Sequence, residues 1–130
     1  MVEILKPDIC VIGGGSGGLS VAAAAAAFGV PVVLVENHKM GGDCLNTGCV
    51  PSKALLAAAR RVHTMKSSAP FGVSAASVAV DFAKVRAHVQ SVIAAIAPID
   101  SAERFTGLGV RVIKGRAAFK DKRTVAVADK

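Results

Sequence analysis

Two cysteines five residues apart are the side chains of this sequence with the clearest capacity for chemistry. Cys44 and Cys49 lie in the segment GGDCLNTGCVPSK, which runs from Gly41 to Lys53. An extended strand would separate their Cα atoms by about 16 Å, and a regular helix by about 7.5 Å along its axis. A disulfide requires Cα atoms about 4.4–6.8 Å apart. A disulfide between them would therefore need a distorted turn, for which Gly48 offers backbone freedom.

The residues around the second cysteine favour a reactive sulfur. Pro51 stands where proline is favoured, at the first position of a predicted helix. Cys49 therefore lies just before a helix N-terminus, where free N–H groups and the helix dipole stabilise a thiolate. Lys53 is four residues further on, on the same face, and adds positive charge. We expect a redox-active or nucleophilic cysteine pair here.

Zinc binding is the main alternative for paired cysteines. A structural zinc site needs further cysteine or histidine ligands at defined spacing, and His38, His63 and His88 show no such spacing. We therefore predict no metal site. The total of three cysteines is odd, which argues against a framework of structural disulfides. Cys10 stands inside a predicted strand, where we expect it to be buried and inert.

A glycine-rich segment, GGGSGG, precedes the cysteines and is typical of nucleotide binding. Gly13, Gly15 and Gly18 fit the pattern G-x-G-x-x-G between a short apolar run and an alanine-rich helix. The first glycine permits a tight turn, the second lets a pyrophosphate approach the backbone, and the third lets the helix pack on the strand. Glu36 closes the next strand, where it can accept hydrogen bonds from a ribose. The pattern predicts a dinucleotide site without distinguishing FAD from NAD.

The elements that must position these motifs form an α/β pattern. We predict strands at 8–12, 31–36, 110–114, 116–120 and 124–128 and helices at 16–28, 51–66 and 82–97. Gly29 is expected to end the first helix, Asp81 to be the N-cap of the third, and Pro98 to end it. The segment 38–50 is expected to be irregular.

The two motifs, in this order and spacing, resemble those of the pyridine nucleotide–disulfide oxidoreductases of the dihydrolipoamide dehydrogenase and mercuric reductase type. The resemblance rests on GGGSGG and CLNTGCVPSK and covers the whole chain. It implies a Rossmann-like FAD-binding domain, with a parallel sheet, flanking helices and a small antiparallel strand addition. Residues 1–130 would be the N-terminal portion of that domain, without the NAD(P), central and dimerisation domains and without an acid–base residue.

The resemblance also implies a role for each motif residue. The FAD pyrophosphate would be bound by the loop Gly13, Gly14, Gly15, Ser16, Gly17 and Gly18. Glu36 would bind the adenosine ribose, and Gly42 and Asp43 would lie along the flavin side. Cys44 would attack the substrate, Cys49 would form a thiolate against the flavin, and Lys53 would lie near the reactive flavin nitrogen. Electrons would pass between NAD(P)H, FAD, the Cys44–Cys49 disulfide and a dithiol/disulfide substrate such as dihydrolipoamide, or mercuric ion.

Two positions of the cysteine motif depart from well-known members of that family. Asp43 stands where they usually carry Thr, and Thr47 replaces their usual Val. Asp43 followed by CLNTGCVPSKALL more closely resembles bacterial members described as mercuric reductase-like or dihydrolipoamide dehydrogenase-like, so the resemblance leaves the substrate open. The alternative is a truncated FAD-binding module without activity of its own. The resemblance further implies a homodimer when the protein is full length.

Composition and charge exclude other classes of function. Sixteen Lys and Arg against nine Asp and Glu give a net charge of +7. The basic residues are scattered rather than aligned in a stripe, so we predict no nucleic-acid partner. The uncharged stretch between Asp8 and Glu36 is broken by glycines and Pro31, which argues against a membrane span. Glu3 and Asp8 argue against a signal peptide, and we expect a cytoplasmic protein with small-molecule partners.

Overall fold

A computed structural model of the chain describes residues 3–74 and 77–128. The strands are β1 (Ile9–Ile12), β2 (Val32–Glu36), β3 (Arg111–Lys114), β4 (Arg116–Asp121) and β5 (Thr124–Ala128). The helices are α1 (Ser16–Ala27), α2 (Gly42–Asn46), α3 (Cys49–Lys66), α4 (Phe82–Ile96) and α5 (Ala102–Gly107). Short 3₁₀ turns span Ala69–Phe71 and Ala97–Asp100. The predicted α/β class is confirmed.

The main sheet consists of three parallel strands with β2 at its centre. Its order is β1-β2-β3, with Ile12 opposite Val35 and Glu36 opposite Lys114. Because all three strands run the same way, their carboxyl ends meet at one edge of the sheet. That edge is where open α/β sheets bind ligands, and both the glycine loop and Glu36 lie there.

The core lies between α1 and one face of this sheet. Leu19, Ala22 and Ala25 follow one another at a spacing of three residues and form the buried stripe of α1. Small alanine side chains let the helix approach closely, and Ala22 is completely buried. The sheet and the segment around α5 contribute Val11, Val32, Leu34, Phe105 and Val110.

Cys10 is exposed, so the prediction of a buried cysteine in β1 was wrong. Successive residues of a strand point to opposite faces, and Val11 points into the core while Cys10 points away from α1. On this second face Ile12 is also 48% exposed. In the described residues β1 is an edge strand, so its outer face is less covered than that of β2.

The helix ends follow the predicted local chemistry. After α1, Gly29 has φ +71° and donates to the Ala26 carbonyl, while Val30 N–H donates to the Ala25 carbonyl. This pair of bonds is a Schellman motif. The Asp81 carboxylate accepts from Lys84 N–H at 3.2 Å and caps α4. The α-helix ends at Ile96, and Pro98 lies in the 3₁₀ turn that follows.

The segment 38–50 is more regular than predicted. It contains the whole of α2 and the first two residues of α3, which starts at Cys49 rather than Pro51. Gly48 is the N-cap, so Pro51 occupies the third helical position. Proline is tolerated there because the first N–H groups of a helix have no intrahelical acceptor. The helix α2 has only five residues and stands in a glycine-rich segment. Its sequence is too short to show a helical pattern, so it was not predicted.

The last two strands form the predicted antiparallel hairpin beside the main sheet. Arg116 lies opposite Ala128 and Phe119 opposite Val125. At the turn the Asp121 carboxylate accepts from Arg123 N–H at 2.8 Å. This backbone bond, together with the Thr124 side chain, holds the pKa of Asp121 below its ordinary value.

None of the helices in the described ranges combines the length and apolar character that crossing a membrane would need.

Candidate nucleotide and redox site

The glycine loop joins the end of β1 to the start of α1. Gly13 has φ +102° and donates its N–H to the Val35 carbonyl at 2.8 Å, which gives the tight turn that was predicted. Gly15 is the N-cap, and no described side chain caps α1 or places an acid in its first turn. The N–H groups of Ser16 and Gly17 begin a helix of 12 residues and have no intrahelical acceptor. These donors and the helix dipole suit a diphosphate.

Glu36 turns its carboxylate back toward the glycine loop. One oxygen accepts from Gly14 N–H at 2.5 Å, and the other accepts from His38 N–H at 2.7 Å. Each carboxylate oxygen can accept more than one hydrogen bond, so both retain capacity for a ribose hydroxyl. Glu36 thus fixes the loop and remains an acceptor at the ligand-binding edge.

A cavity of about 460 Å³ opens beside Glu36. It extends between the 38–46 segment and β3, and its walls include Lys39, Met40, Asn46 and Lys114. This volume is within the range of small-molecule sites. A lining that mixes apolar side chains with polar and charged ones suits a nucleoside.

The two cysteines of the motif come together where α2 meets α3. Cys44 is the third residue of α2, and Cys49 is the first residue of α3. Thr47 and Gly48 form the connection, and their N–H groups both donate to the Asp43 carbonyl, at 2.9 and 2.5 Å. The chain therefore turns sharply between the two cysteines, both of which are thiols in this structure.

The Cys44 thiol interacts directly with its neighbour. A hydrogen bond with the Cys49 side chain raises the pKa of Cys44, and desolvation and the charge of Cys49 act in the same direction. The Cys49 backbone N–H and the positive charge of Lys53 oppose this effect. Cys44 is thus influenced by both Cys49 and Lys53, whereas the sequence-based prediction placed the charge of Lys53 beside Cys49.

A hydrogen bond and close packing join the glycine loop, residues 13–18, to the segment that leads into the cysteine turn, residues 44–49. Gly41 N–H donates to the Gly14 carbonyl at 2.8 Å. Gly42 lies so close to the loop that an added Cβ would stand 2.7 Å from the Gly15 Cα, and its φ is +54°. Only glycine meets both demands without strain. The glycine loop and the cysteine turn are therefore directly joined.

Asn46 is part of this site and was absent from the sequence-based predictions. Its Nδ2 donates to the carbonyls of Met40 at 3.1 Å and Gly42 at 2.8 Å. An asparagine at the end of a short segment between glycines is a signal for side-chain bonds to the backbone. The irregular structure predicted for 38–50 concealed this signal.

Asp43 and Thr47, the two departures from the usual motif, contact each other. Thr47 Oγ1 lies 3.3 Å from Asp43 Oδ1, on the exposed side of α2. The two replacements therefore form a matched pair one helical turn apart. Among the candidate site residues, the structure brings together the glycine loop, Glu36 and Gly42 on one side and Asp43, Cys44, Cys49 and Lys53 on the other.

Comparison with known proteins places this arrangement in a family. A profile described as pyridine nucleotide-disulphide oxidoreductase matches residues 7–130. A dihydrolipoyl dehydrogenase of Bacillus subtilis (strain 168) is 42% identical over 125 residues, which is 96% of this chain and 26% of that protein. The dihydrolipoyl dehydrogenase of Geobacillus stearothermophilus is 38% identical over the same shares of the two chains.

A solved structure shows the same fold. The HOCl-induced flavoprotein disulfide reductase RclA from Escherichia coli, solved as a Cu(II) complex, aligns with a TM-score of 0.73 and 24% sequence identity. The alignment covers 92% of this chain and 24% of that one. The present chain thus spans about a quarter of the length of the curated relatives and of this structure. The profile match over nearly all of its residues shows that the chain belongs to the pyridine nucleotide-disulphide oxidoreductase family.

Proposed function

We propose that the chain supplies the FAD pyrophosphate site and the redox cysteine pair of a dihydrolipoyl dehydrogenase-like oxidoreductase. The observation that carries this proposal is the direct attachment of the glycine loop to the cysteine turn through Gly41, Gly42 and the loop backbone. A plain NAD-binding unit would explain the glycine loop but would leave the adjacent thiol pair without a role.

The residues present fit FAD. The uncapped N-terminus of α1 offers the N–H groups of Ser16 and Gly17 to a diphosphate. Glu36 and the cavity beside it suit the adenosine half. Gly42 and Asp43 lead from the loop toward the cysteines, so the flavin half would extend in their direction. When bound, FAD supplies the two-electron exchange between a nicotinamide and the cysteine pair.

Cys44 and Cys49 divide the thiol chemistry between them. In the direction of disulfide reduction, the Cys44 thiolate attacks one sulfur of the substrate, and the other substrate sulfur leaves and takes a proton. The Cys49 thiolate then attacks Cys44 Sγ, which closes the protein disulfide and releases the second substrate thiol. Lys53 supports the thiolate at Cys44 through its charge. The same steps in reverse oxidise a dithiol.

A dithiol/disulfide substrate of the dihydrolipoyl kind is better supported than mercuric ion. The Bacillus and Geobacillus relatives named above are both dihydrolipoyl dehydrogenases, and that from Pseudomonas aeruginosa is 35% identical over 130 residues. NAD(P)H would be the co-substrate of the whole enzyme. Homodimerisation, a cytoplasmic location and the absence of a nucleic-acid partner stay predictions.

The test is an anaerobic spectral titration of the full chain with FAD. We expect FAD to bind and, after reduction, a long-wavelength thiolate-to-flavin band to develop. Cys49→Ser should abolish the band, whereas Cys44→Ser should retain it because the Cys49 thiolate remains. Cys10→Ser is the matched control, since Cys10 is an exposed cysteine of β1 outside the turn, and it should leave the band unchanged.

Two results would contradict the proposal. Failure of the chain to bind FAD would remove the nucleotide assignment. Bound FAD with a spectrum indifferent to all three cysteine substitutions would mean that the thiols do not lie against the flavin, and the redox assignment would be wrong.

A further inference from the structure

One of the side chains that hold the turn carrying Cys44 takes part in no step of the proposed chemistry. Asn46 is the last residue of α2, partly buried, and its Nδ2 donates to the carbonyls of Met40 and Gly42 at 3.1 and 2.8 Å. Both partners are acceptors, so only the NH₂ group of the amide can make these bonds. The orientation of the side chain is therefore fixed by chemistry.

The two carbonyls belong to the bend that attaches the redox turn to the nucleotide loop. Gly41 and Gly42, with φ +85° and +54°, form this bend. The Gly41 N–H donates to the Gly14 carbonyl, and Gly42 packs on Gly15. By donating to the Met40 and Gly42 carbonyls, Asn46 ties the end of α2, the helix that carries Cys44, back to this bend. The position of Cys44 relative to the loop thus depends on this amide.

We infer that Asn46 is a positioning residue that holds Cys44 in register with Cys49 by clamping α2 to the Met40–Gly42 bend. This inference rests on the proposed function, because it assigns to Asn46 the geometry of the redox disulfide. Asn46 does not touch the reacting sulfur atoms. Its effect is to favour the closed disulfide by restricting where the Cys44 thiol can lie.

The measurable quantity is the equilibrium between the cysteine pair and glutathione. One glutathione disulfide oxidises the two protein thiols to the Cys44–Cys49 disulfide, its own S–S bond breaks, and two glutathione thiols carry away both hydrogens. No flavin or nicotinamide takes part, so the full chain can be measured as it is. Cys10→Ser in every sample leaves one cysteine pair.

Asn46→Asp is the most informative substitution. It keeps the size and shape of the side chain and replaces only the NH₂ donor by an oxygen acceptor. At pH 8 the carboxylate faces two carbonyl oxygens, and we expect the oxidation constant to fall about tenfold relative to the parent, as loss of two hydrogen bonds implies. We expect burial against the two acceptors to raise the pKa of this carboxyl above the usual value of about 3.9, so that lowering the pH to 5 increases the protonated fraction, which can donate one bond. The ratio of variant to parent should then recover toward one.

Other titrating groups are shared by both proteins and cancel in that ratio. The cavity beside Asn46 is also lined by Glu36, His38, Lys39, Glu103 and Lys114. Asn37→Asp is the matched control, because it adds the same charge at the other asparagine of the chain, an exposed residue just after β2. This variant should stay within twofold of the parent at both pH values.

Each outcome separates the inference from the proposed function. If the parent cannot form the Cys44–Cys49 disulfide, the proposed function fails. If the parent forms it and Asn46→Asp leaves the constant unchanged, or lowers it equally at pH 5 and pH 8, the inference about Asn46 is wrong.

A measurement on the parent covers the case in which Asn46→Asp fails to fold. The two side-chain NH₂ hydrogens of Asn46 should exchange with solvent at least about tenfold more slowly than those of Asn37, because each hydrogen of Asn46 is bonded to a carbonyl. Equal exchange rates for the two asparagines would overturn the inference.

Discussion

At the scale of single residues, the reactivity of Cys44 is set by two neighbours that act in opposite directions. The Cys49 side chain raises the pKa of Cys44, and the charge of Lys53 lowers it. The thiolate is the form that reacts, so a raised pKa moves the alkylation rate profile of Cys44 to higher pH. We expect Cys49→Ala to move this profile to lower pH and Lys53→Gln to move it to higher pH.

The profile is measured with iodoacetamide across pH, with Cys44 labelling followed by mass spectrometry. Lys66→Gln is the control, because it removes the same charge at the far end of α3, 13 residues along an 18-residue helix. It should leave the profile in place. A shift to higher pH in Cys49→Ala, or to lower pH in Lys53→Gln, would contradict the pairing of charges that the structure shows.

At the scale of elements, the close contact between α1 and the strand before it depends on Gly18. An added Cβ at Gly18 would overlap the Gly13 carbonyl oxygen and stand 3.1 Å from Val11 Cγ1. Gly17, one residue earlier on the same helix, has no atom within 4 Å of such a Cβ. The two glycines are consecutive residues of α1 but differ in what surrounds them.

We therefore expect Gly18→Ala to destabilise the chain by about 2 kcal/mol, since the helix must move away from the strand. Gly17→Ala should change stability by less than about 1 kcal/mol, and alanine's better helix propensity favours a small gain. Urea unfolding measures both. Equal losses in the two variants would show that α1 does not approach β1 as closely as described.

Helix ends that are set by hydrogen bonds between neighbouring residues were predictable from the sequence. Elements whose position depends on contacts with distant parts of the chain were not. Gly29 and Asp81 end or begin helices by local bonds, and both were placed correctly. The short helix α2 is attached to the rest of the fold by the bond from Gly41 N–H to the Gly14 carbonyl, 27 residues earlier in the chain. Such contacts across the fold leave no periodic pattern. For the same reason the exposure of Cys10 could not be predicted, because it depends on which strands flank β1.

At the scale of the whole molecule, segments far apart in sequence close one core beneath the ligand-binding edge. Phe105 in α5 is 2% exposed and packs with α1 and β2 residues, from Leu19 to Leu34, that lie 71 to 86 positions earlier in the chain. α5 itself has six residues and was not predicted as a separate helix. Its place is decided by burial of this side chain rather than by helix propensity, which is weak for so short an element.

Phe105 and Phe119 form a pair that tests this view of the core. Phe119 in β4 is 77% exposed, so the same substitution removes an aromatic ring from two different environments. We expect Phe105→Ala to lower the free energy of unfolding by about 3–5 kcal/mol, because it removes apolar contacts and leaves a cavity. Phe119→Ala should cost less than about 0.5 kcal/mol.

Urea unfolding with matched probes of secondary structure gives both values, and the urea dependence of the free energy should be alike in the two variants if the unfolded states are alike. The free energy of unfolding of a domain of this size is about 5–15 kcal/mol in total, so Phe105→Ala is expected to leave little margin.

The shape of the glycine loop depends on β1, β2 and α1, all of which contribute to this core. Phe105→Ala should therefore also weaken binding of FAD, although Phe105 lies outside the candidate site. An equal loss of stability in Phe119→Ala would contradict the burial of Phe105 in the core and the exposure of Phe119.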